Sequence, residues 1–154
     1  MKYKFPALVF LLGTTLLTSG CSDDVGKVSL GMFTTKDIFI DAKKDPQIPG
    51  VTCHISHIEA NFDLSDPSNS SIACRQTGEI LPQHIAAIDK SKNGEVIFSE
   101  SLSILFKSLK VRRIYDKENN SLLYLSYSTK ETNGSHKHAL STVSLFNTKA
   151  DTSK

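Results

Sequence analysis

The sequence lacks the short motifs that mark most nucleotide and hydrolase sites. It has no glycine-rich phosphate loop, no dinucleotide fingerprint and no Gly-x-Ser-x-Gly turn around a serine nucleophile. Internal repeats and long low-complexity tracts are also missing, and no stretch interleaves basic with aromatic residues. We therefore predict that the protein is not an enzyme, uses no cofactor and does not bind nucleic acid. No small-molecule substrate is indicated.

The chain also lacks an excess of charge once its first 20 residues are set aside. It has 18 basic and 16 acidic side chains, and the charged residues before Cys21 are Lys2 and Lys4 alone. The remaining chain is therefore balanced. This balance excludes a protein that collects nucleic acid or coats an anionic membrane through its overall charge.

The one long apolar run lies at the start of the chain. Residues 7–17 are apolar except for a Gly-Thr-Thr interruption, and the two lysines precede them. The run is shorter than the roughly 20 residues that a membrane span needs. It is typical of a secretory signal, so residues 1–20 are left out of the fold.

Small residues lead from this run directly into Cys21, as in a bacterial lipobox. Ser19 and Gly20 suit lipoprotein processing, although Thr18 departs from the commoner aliphatic residue. We predict a lipid on Cys21, and Ser22 favours the inner leaflet of the outer membrane over inner-membrane retention. The alternative is an ordinary cleaved signal and a soluble periplasmic protein with a free Cys21.

The other two cysteines, Cys53 and Cys74, are predicted to form a disulfide. An exported chain meets an oxidising compartment. Both cysteines also alternate with aliphatic residues, so both sulfur atoms point towards the core of a predicted strand pair. The rival interpretation, a redox or metal thiol pair, lacks the short spacing that such sites need.

The rest of the chain is mainly strands and turns, with one short helix in LPQHIAAIDK. The clearest pair is KVRRIYD and SLLYLSYS, joined by DKENN as a hairpin. We predict an antiparallel sandwich or flattened barrel, stapled by the disulfide. The predicted divisions are a signal peptide (1–20), a lipid-bearing tether (21–28), a single β domain (29–147) and a polar, frayed tail (148–154).

The type of element is ambiguous in one segment. Residues 101–110 fit a strand or a helix, and we favour the strand because of Val111 downstream.

A second prediction concerns which face of a strand is buried. In SLLYLSYS we expect Leu123, Leu125 and Tyr127 to form the core face. Tyr115, Tyr124 and Tyr127 are expected to pack between strands, with Tyr124 exposed enough to meet a partner.

Four blocks carry a resemblance to a known family: DPQIPGVTCHISHI, IACRQTGEI, GEVIF and LFKSLKVRRIYDKENNSLLYLSYSTK. They resemble the CreA family of bacterial envelope proteins from about residue 25 to residue 145. The resemblance implies a small, exported, single-domain protein without an established activity or cofactor, and with a pair of cysteines matching Cys53 and Cys74. Other members are soluble periplasmic proteins with a plain signal, so the lipobox-like Cys21 departs from the family.

Histidines provide the alternative function, a periplasmic metal-handling protein. His136 and His138 would share one face of a strand and could bind zinc or copper together, although an exposed pair is the simpler interpretation. His54 and His57 would point to opposite faces. Lys110, Arg112 and Arg113 are expected on a solvated strand, where they could hold an acidic partner. Our main hypothesis is a lipid-anchored, non-enzymatic accessory or binding module with a possible envelope protein partner.

Overall fold

The computed structural model describes residues 24–32, 36–60, 70–101, 108–128 and 137–152. Within these ranges the chain forms eight strands and one helix. The elements are β1 (Asp24–Ser29), β2 (Lys36–Lys44), β3 (Val51–Ala60), β4 (Ser70–Gln76), α1 (Pro82–Ala87), β5 (Glu95–Ser101), β6 (Ser108–Asp116), β7 (Ser121–Ser128) and β8 (His138–Ser144).

The strands make two antiparallel sheets of four, and in both sheets the spatial order is the chain order. β1 to β4 form the first sheet and β5 to β8 the second, and neither closes on itself in the described chain. The inner faces of both contribute to one apolar core, which includes Val51, Ile55, Val111, Leu122 and Val143. The predicted mainly β fold is confirmed as a sandwich.

The β6–β7 hairpin and the helix follow the predicted pattern. Residues 117–120 form the connector, and Asn120 takes the positive φ of 49°. In α1, Pro82 occupies the first turn, where its missing N–H costs no hydrogen bond. The backbone N–H of Leu81 donates to Nδ1 of His84 at 3.2 Å, so His84 closes the helix start.

The prediction for the faces of β7 is wrong. Leu122 and Tyr124 are fully buried, whereas Leu123, Leu125 and Tyr127 are only half-buried. Both sets contain apolar residues, so alternation alone could not choose between them. The set with more hydroxyl groups faces inward because Tyr124 finds a buried acceptor there, as described below.

Both ends of the predicted domain differ from expectation. Residues 24–28, expected in a tether, lie in β1, which pairs with β2 along its length. The expected fraying is wrong for residues 148–152, since Thr148 and Ala150 are buried. Asp151 holds this end by accepting from Nδ2 of Asn120 at 2.7 Å. Leu109 lies in β6, while residues 102–107 are outside the described chain, as are Cys21 and His136.

In the described ranges, α1 spans six residues and no helix reaches the length and apolarity that a bilayer crossing requires.

Candidate functional site

The predicted disulfide is confirmed and joins two directly opposite residues of the first sheet. Cys53 on β3 pairs with Cys74 on β4, with their Cα atoms 3.9 Å apart. Both side chains are buried, so the bond belongs to the core. The bond links the two ends of the polar segment that lies between the cysteines in sequence.

A serine of the second sheet lies next to this disulfide. Ser141 on β8 accepts from the backbone N–H of Cys74 at 2.8 Å, and its hydroxyl lies 3.5 Å from the carbonyl oxygen of the same residue. Ser141 is opposite Tyr124, Tyr124 is opposite Arg113, and Arg113 is opposite Glu95. One line of side chains thus runs from the disulfide across all four strands of the second sheet.

The centre of this row is a buried ionic cluster around Arg113. Its side chain is 1% exposed, and Nη1 donates to Oδ1 of Asp45 at 2.5 Å. Nη2 donates to Oε1 of Gln47 and to Oε1 of Glu95. Asp45 and Gln47 lie in the β2–β3 loop, so Arg113 joins that loop to the second sheet.

Asp45 is satisfied on both of its oxygens. Oδ1 also accepts from the backbone N–H groups of Gln47 and Ile48, at 2.9 and 3.0 Å. Oδ2 accepts from the hydroxyl of Tyr124 at 2.8 Å. Burial, followed by the negative charge of Asp45, raises the pKa of Tyr124 far above its ordinary value. The phenol therefore stays neutral and remains a donor.

The cluster is suited to holding the fold together and poorly suited to binding a ligand. Its donors and acceptors are already engaged, and the members that reach the surface are Gln47, which is exposed, and Glu95, with 29% of its side chain exposed. A ligand would have to displace a buried partner, which leaves an uncompensated charge. We therefore assign Arg113 and Tyr124 to the structure of the core.

The structure corrects two predictions at this point. Arg113 is not on a solvated strand face, and Tyr124 is fully buried and out of reach of a partner. Arg112 does point outward, as alternation requires. Its Nη1 donates to the carbonyl oxygens of Asn93 and Gly94 at 2.9 and 3.1 Å.

The histidines do not converge. His54 and His57 point to opposite faces of β3, as predicted. His57 is 4% exposed, stacks on the Phe39 ring at 5.9 Å between centroids, and has Nδ1 3.6 Å from Oδ2 of Asp41. His138 is exposed at the start of β8. No group of three metal-ligating side chains is present in the described residues, so the metal hypothesis still depends on spacing alone.

A groove of about 470 Å³ lies beside α1 in the described part of the chain and is a candidate binding site. Pro82, Ile85, Ala86 and Ala150 give it an apolar lining, and half-buried Tyr115 adds an aromatic ring. Three lysines border it, from three separate segments of the chain: Lys90, Lys117 and Lys149. The sequence reasoning missed this site because the three segments lie far apart in sequence.

The charge of the groove is positive. Lys149 pairs with Glu79 at 2.6 Å, and both side chains are mostly exposed. Among the described residues, Lys90 and Lys117 have no carboxylate partner. The one acid that lines the groove, Asp151, accepts from Asn120 and from the backbone N–H of Asn147 at 2.9 Å. Its oxygens are thus already engaged inside the chain.

These features define a disulfide-linked antiparallel sandwich with a cationic surface groove. A sequence profile of the CreA protein family matches residues 25–148. Protein CreA of Escherichia coli, in each of three strains, is 40% identical over 116 residues, which cover 69% of this chain and 71% of the relative. The chain therefore belongs to the CreA family. No solved structure matches it.

Proposed function

We propose that this CreA family member is a non-enzymatic envelope protein, anchored by a lipid on Cys21 at the periplasmic side of the outer membrane. In this proposal the domain is an accessory module that holds an acidic segment of a partner protein in the groove beside α1. The observation that carries the binding role is the set of lysines around an apolar lining. Nothing in this role requires bond making or breaking.

The anchor is supported by the sequence before the domain. Small residues lead into Cys21, and β1 begins three residues later at Asp24. A chain of that length extends to about 10 Å, so a lipid on Cys21 would hold β1 close to the bilayer. The domain would then face the periplasm with its groove available to other envelope proteins.

The choice of an acidic partner segment follows from charge and shape. The ammonium groups of Lys90 and Lys117 attract carboxylates, and the apolar lining between them suits an aliphatic or aromatic side chain. A segment that combines both groups would use the two parts of the groove together. The short-range attraction between its carboxylates and these lysines would weaken with salt.

Site-specific photo-crosslinking in intact cells tests the binding role. A photoreactive residue at Ala86, exposed in the lining of the groove, should capture a specific companion, and one at Thr142, exposed on β8, should not. Lys90→Glu combined with the reporter at 86 should remove the captured product. Identical products from positions 86 and 142, or none from 86 under any growth condition, would refute the binding role.

Intact mass of the native protein from the membrane fraction tests the anchor. The expected chain begins at Cys21, carries added acyl mass and shows two thiols only after reduction. Cys21→Ser should release the protein to the soluble fraction. A soluble, unacylated native chain would refute the anchor while leaving the groove proposal to its own test.

A further inference from the structure

The exposed large apolar residues are concentrated near the predicted anchor. Four of the seven in the described chain lie between residues 25 and 32: Val25, Val28, Leu30 and Met32. They belong to β1 and the turn after it. Among the described strands β1 is also an edge strand, because β2 is the one strand with which it pairs there. Exposed apolar residues on an edge strand are a liability unless something covers them.

The outer face of the first sheet continues this apolar surface. Val28 is opposite Ile38, and Ile38 is opposite Ile58, so three aliphatic side chains form a row across β1, β2 and β3. Val28 is 52% exposed, and the two isoleucines are half-buried. Ile40 lies beside this row on the same face.

Charge on β2 is divided between its two faces. The outer face reads Lys36, Ile38, Ile40, Ala42 and Lys44, so a lysine stands at each end of an apolar strip. The inner face holds both acids of the strand together with Lys43, and one of the acids, Asp37, pairs with Lys27 of β1 at 2.8 Å. The hydrogen bond from Lys27 holds the pKa of Asp37 below its usual value, so this carboxylate stays charged on the inner side.

The same separation extends across the sheet. At the paired positions of the outer face, β3 and β4 contribute Arg75 and His54 and no carboxylate. The balanced charge of the chain therefore hides a face that is cationic and apolar. This combination is complementary to anionic lipid headgroups, with lysine stems lying along apolar surface and ammonium groups at the phosphates.

We infer that the outer face of the β1–β2–β3 sheet docks onto an anionic lipid surface. This inference rests on the proposed lipid at Cys21, which would hold the edge strand at the bilayer. Docking would cover Val28 and the isoleucine row and would place Lys36, Lys44 and Arg75 at the headgroups. The groove beside α1, which is built from other segments, would stay open for its partner.

The chain contains no tryptophan, so one introduced tryptophan reports its own surroundings. The test uses the full lipidated chain in vesicles of phosphatidylethanolamine and phosphatidylglycerol with brominated acyl chains. Val28→Trp should be quenched by the bromine atoms. Leu140→Trp is the matched control, because Leu140 is 59% exposed on an edge strand of the other sheet, and it should not be quenched.

Charge and a second reporter sharpen the test. Lys44→Gln and Arg75→Gln should each lower the ratio of docked to undocked protein about fivefold, and vesicles of phosphatidylcholine should weaken docking in the same direction. Met32→Trp repeats the measurement at a position that is 95% exposed, where folding does not depend on the side chain.

The outcomes separate the two proposals. A chain whose mass lacks the acyl group refutes the anchor and removes the basis of the docking face. An acylated chain in which both the Val28→Trp and Met32→Trp variants escape quenching, as the control does, refutes the docking face and leaves the anchor standing. Reporters that are shielded from aqueous iodide but not quenched by brominated lipid show that a protein or second copy covers the face, which also refutes lipid docking.

Discussion

The hydroxyl of Tyr124 on β7 donates to Oδ2 of Asp45 in the β2–β3 loop, and both side chains are fully buried. Tyr124→Phe removes the donor to Oδ2 of Asp45 and leaves that oxygen unsatisfied. We expect the free energy of unfolding at neutral pH to fall by about 1–3 kcal/mol. Urea denaturation of the two proteins gives the difference directly.

The same pair has a pH signature. The pKa of Tyr124 is raised in the folded state, whereas an unfolded tyrosine titrates near pH 10. The contribution of the neutral Tyr124 phenol to the free energy of unfolding is therefore complete below about pH 10. As the pH rises further, this contribution falls by about 1.4 kcal/mol per pH unit. The stability gap between the native protein and Tyr124→Phe should narrow above that pH. A constant gap up to pH 11 would contradict this prediction.

We expect substitution of Arg113, a buried ion, to lower the free energy of unfolding more than substitution of Tyr124. Arg113→Met leaves the buried Asp45 carboxylate without its guanidinium partner, which costs about 3–5 kcal/mol. Arg112→Met is the matched control one residue away. It removes hydrogen bonds to two backbone carbonyls at the surface and should cost about 1 kcal/mol. Equal losses in the two variants, measured by urea denaturation, would contradict the buried cluster.

These side chains show where sequence reasoning reaches its limit. Alternation correctly placed Arg112 and Arg113 on opposite faces, but it could not tell which face was buried. Arginine is almost never buried without a partner, so an outward Arg113 was the better estimate. Its partners are Glu95 on the neighbouring strand and Asp45, which is 68 residues away. Long-range pairing of this kind leaves no local pattern.

Among the strands and turns, the turn before β5 ends at a position that only glycine can fill. Gly94 has a φ of +58°, and a Cβ atom there would lie 2.0 Å from the carbonyl oxygen of Arg113. Gly94→Ala should cost more than the roughly 1 kcal/mol of a simple conformational penalty. Gly26→Ala on β1, where a Cβ would meet nothing within 4 Å, should be close to neutral. Thermal melts of both variants check the contrast.

The β3–β4 pair depends on its disulfide. Replacing Cys53 and Cys74 with serine should lower the free energy of unfolding by about 3 kcal/mol, because the unfolded chain regains the freedom of a loop of 21 residues. Cys21→Ser, at the third cysteine, should leave the stability of the domain unchanged. An equal loss in both variants would mean that the stabilising bond involves Cys21.

The disulfide and the groove beside α1 differ in how far the sequence indicated them. The alternation around each cysteine is a local signal, and it led to the correct structure. The groove beside α1 had no such signal. Lys90, Lys117 and Lys149 come together only when the helix, the β6–β7 turn and the end of the chain have packed.

Taken together, the two sheets should unfold as one unit. Their inner faces share a core. Arg113 of the second sheet donates to Asp45 in the β2–β3 loop, and the backbone N–H of Cys74 in the first sheet donates to Ser141 of the second. We expect the slowest-exchanging amides of β3 and β6 to report the same free energy of opening in native-state hydrogen exchange. Two clearly separate values would show that each sheet opens by itself.

In an exported chain, which emerges from the membrane N-terminus first, the order of the strands also bears on folding. Among the described strands, each hydrogen-bonded pair joins neighbours in sequence, so β1 to β4 need no partner strand from the second sheet. β1 to β4 can therefore pair completely before residue 95 has emerged. Their apolar inner face stays uncovered until the second sheet forms, when Arg113 and Tyr124 bind Asp45 across 68 and 79 residues. Between those two events the emerging chain exposes apolar surface, and this is the stage at which a chaperone of the envelope would protect it most.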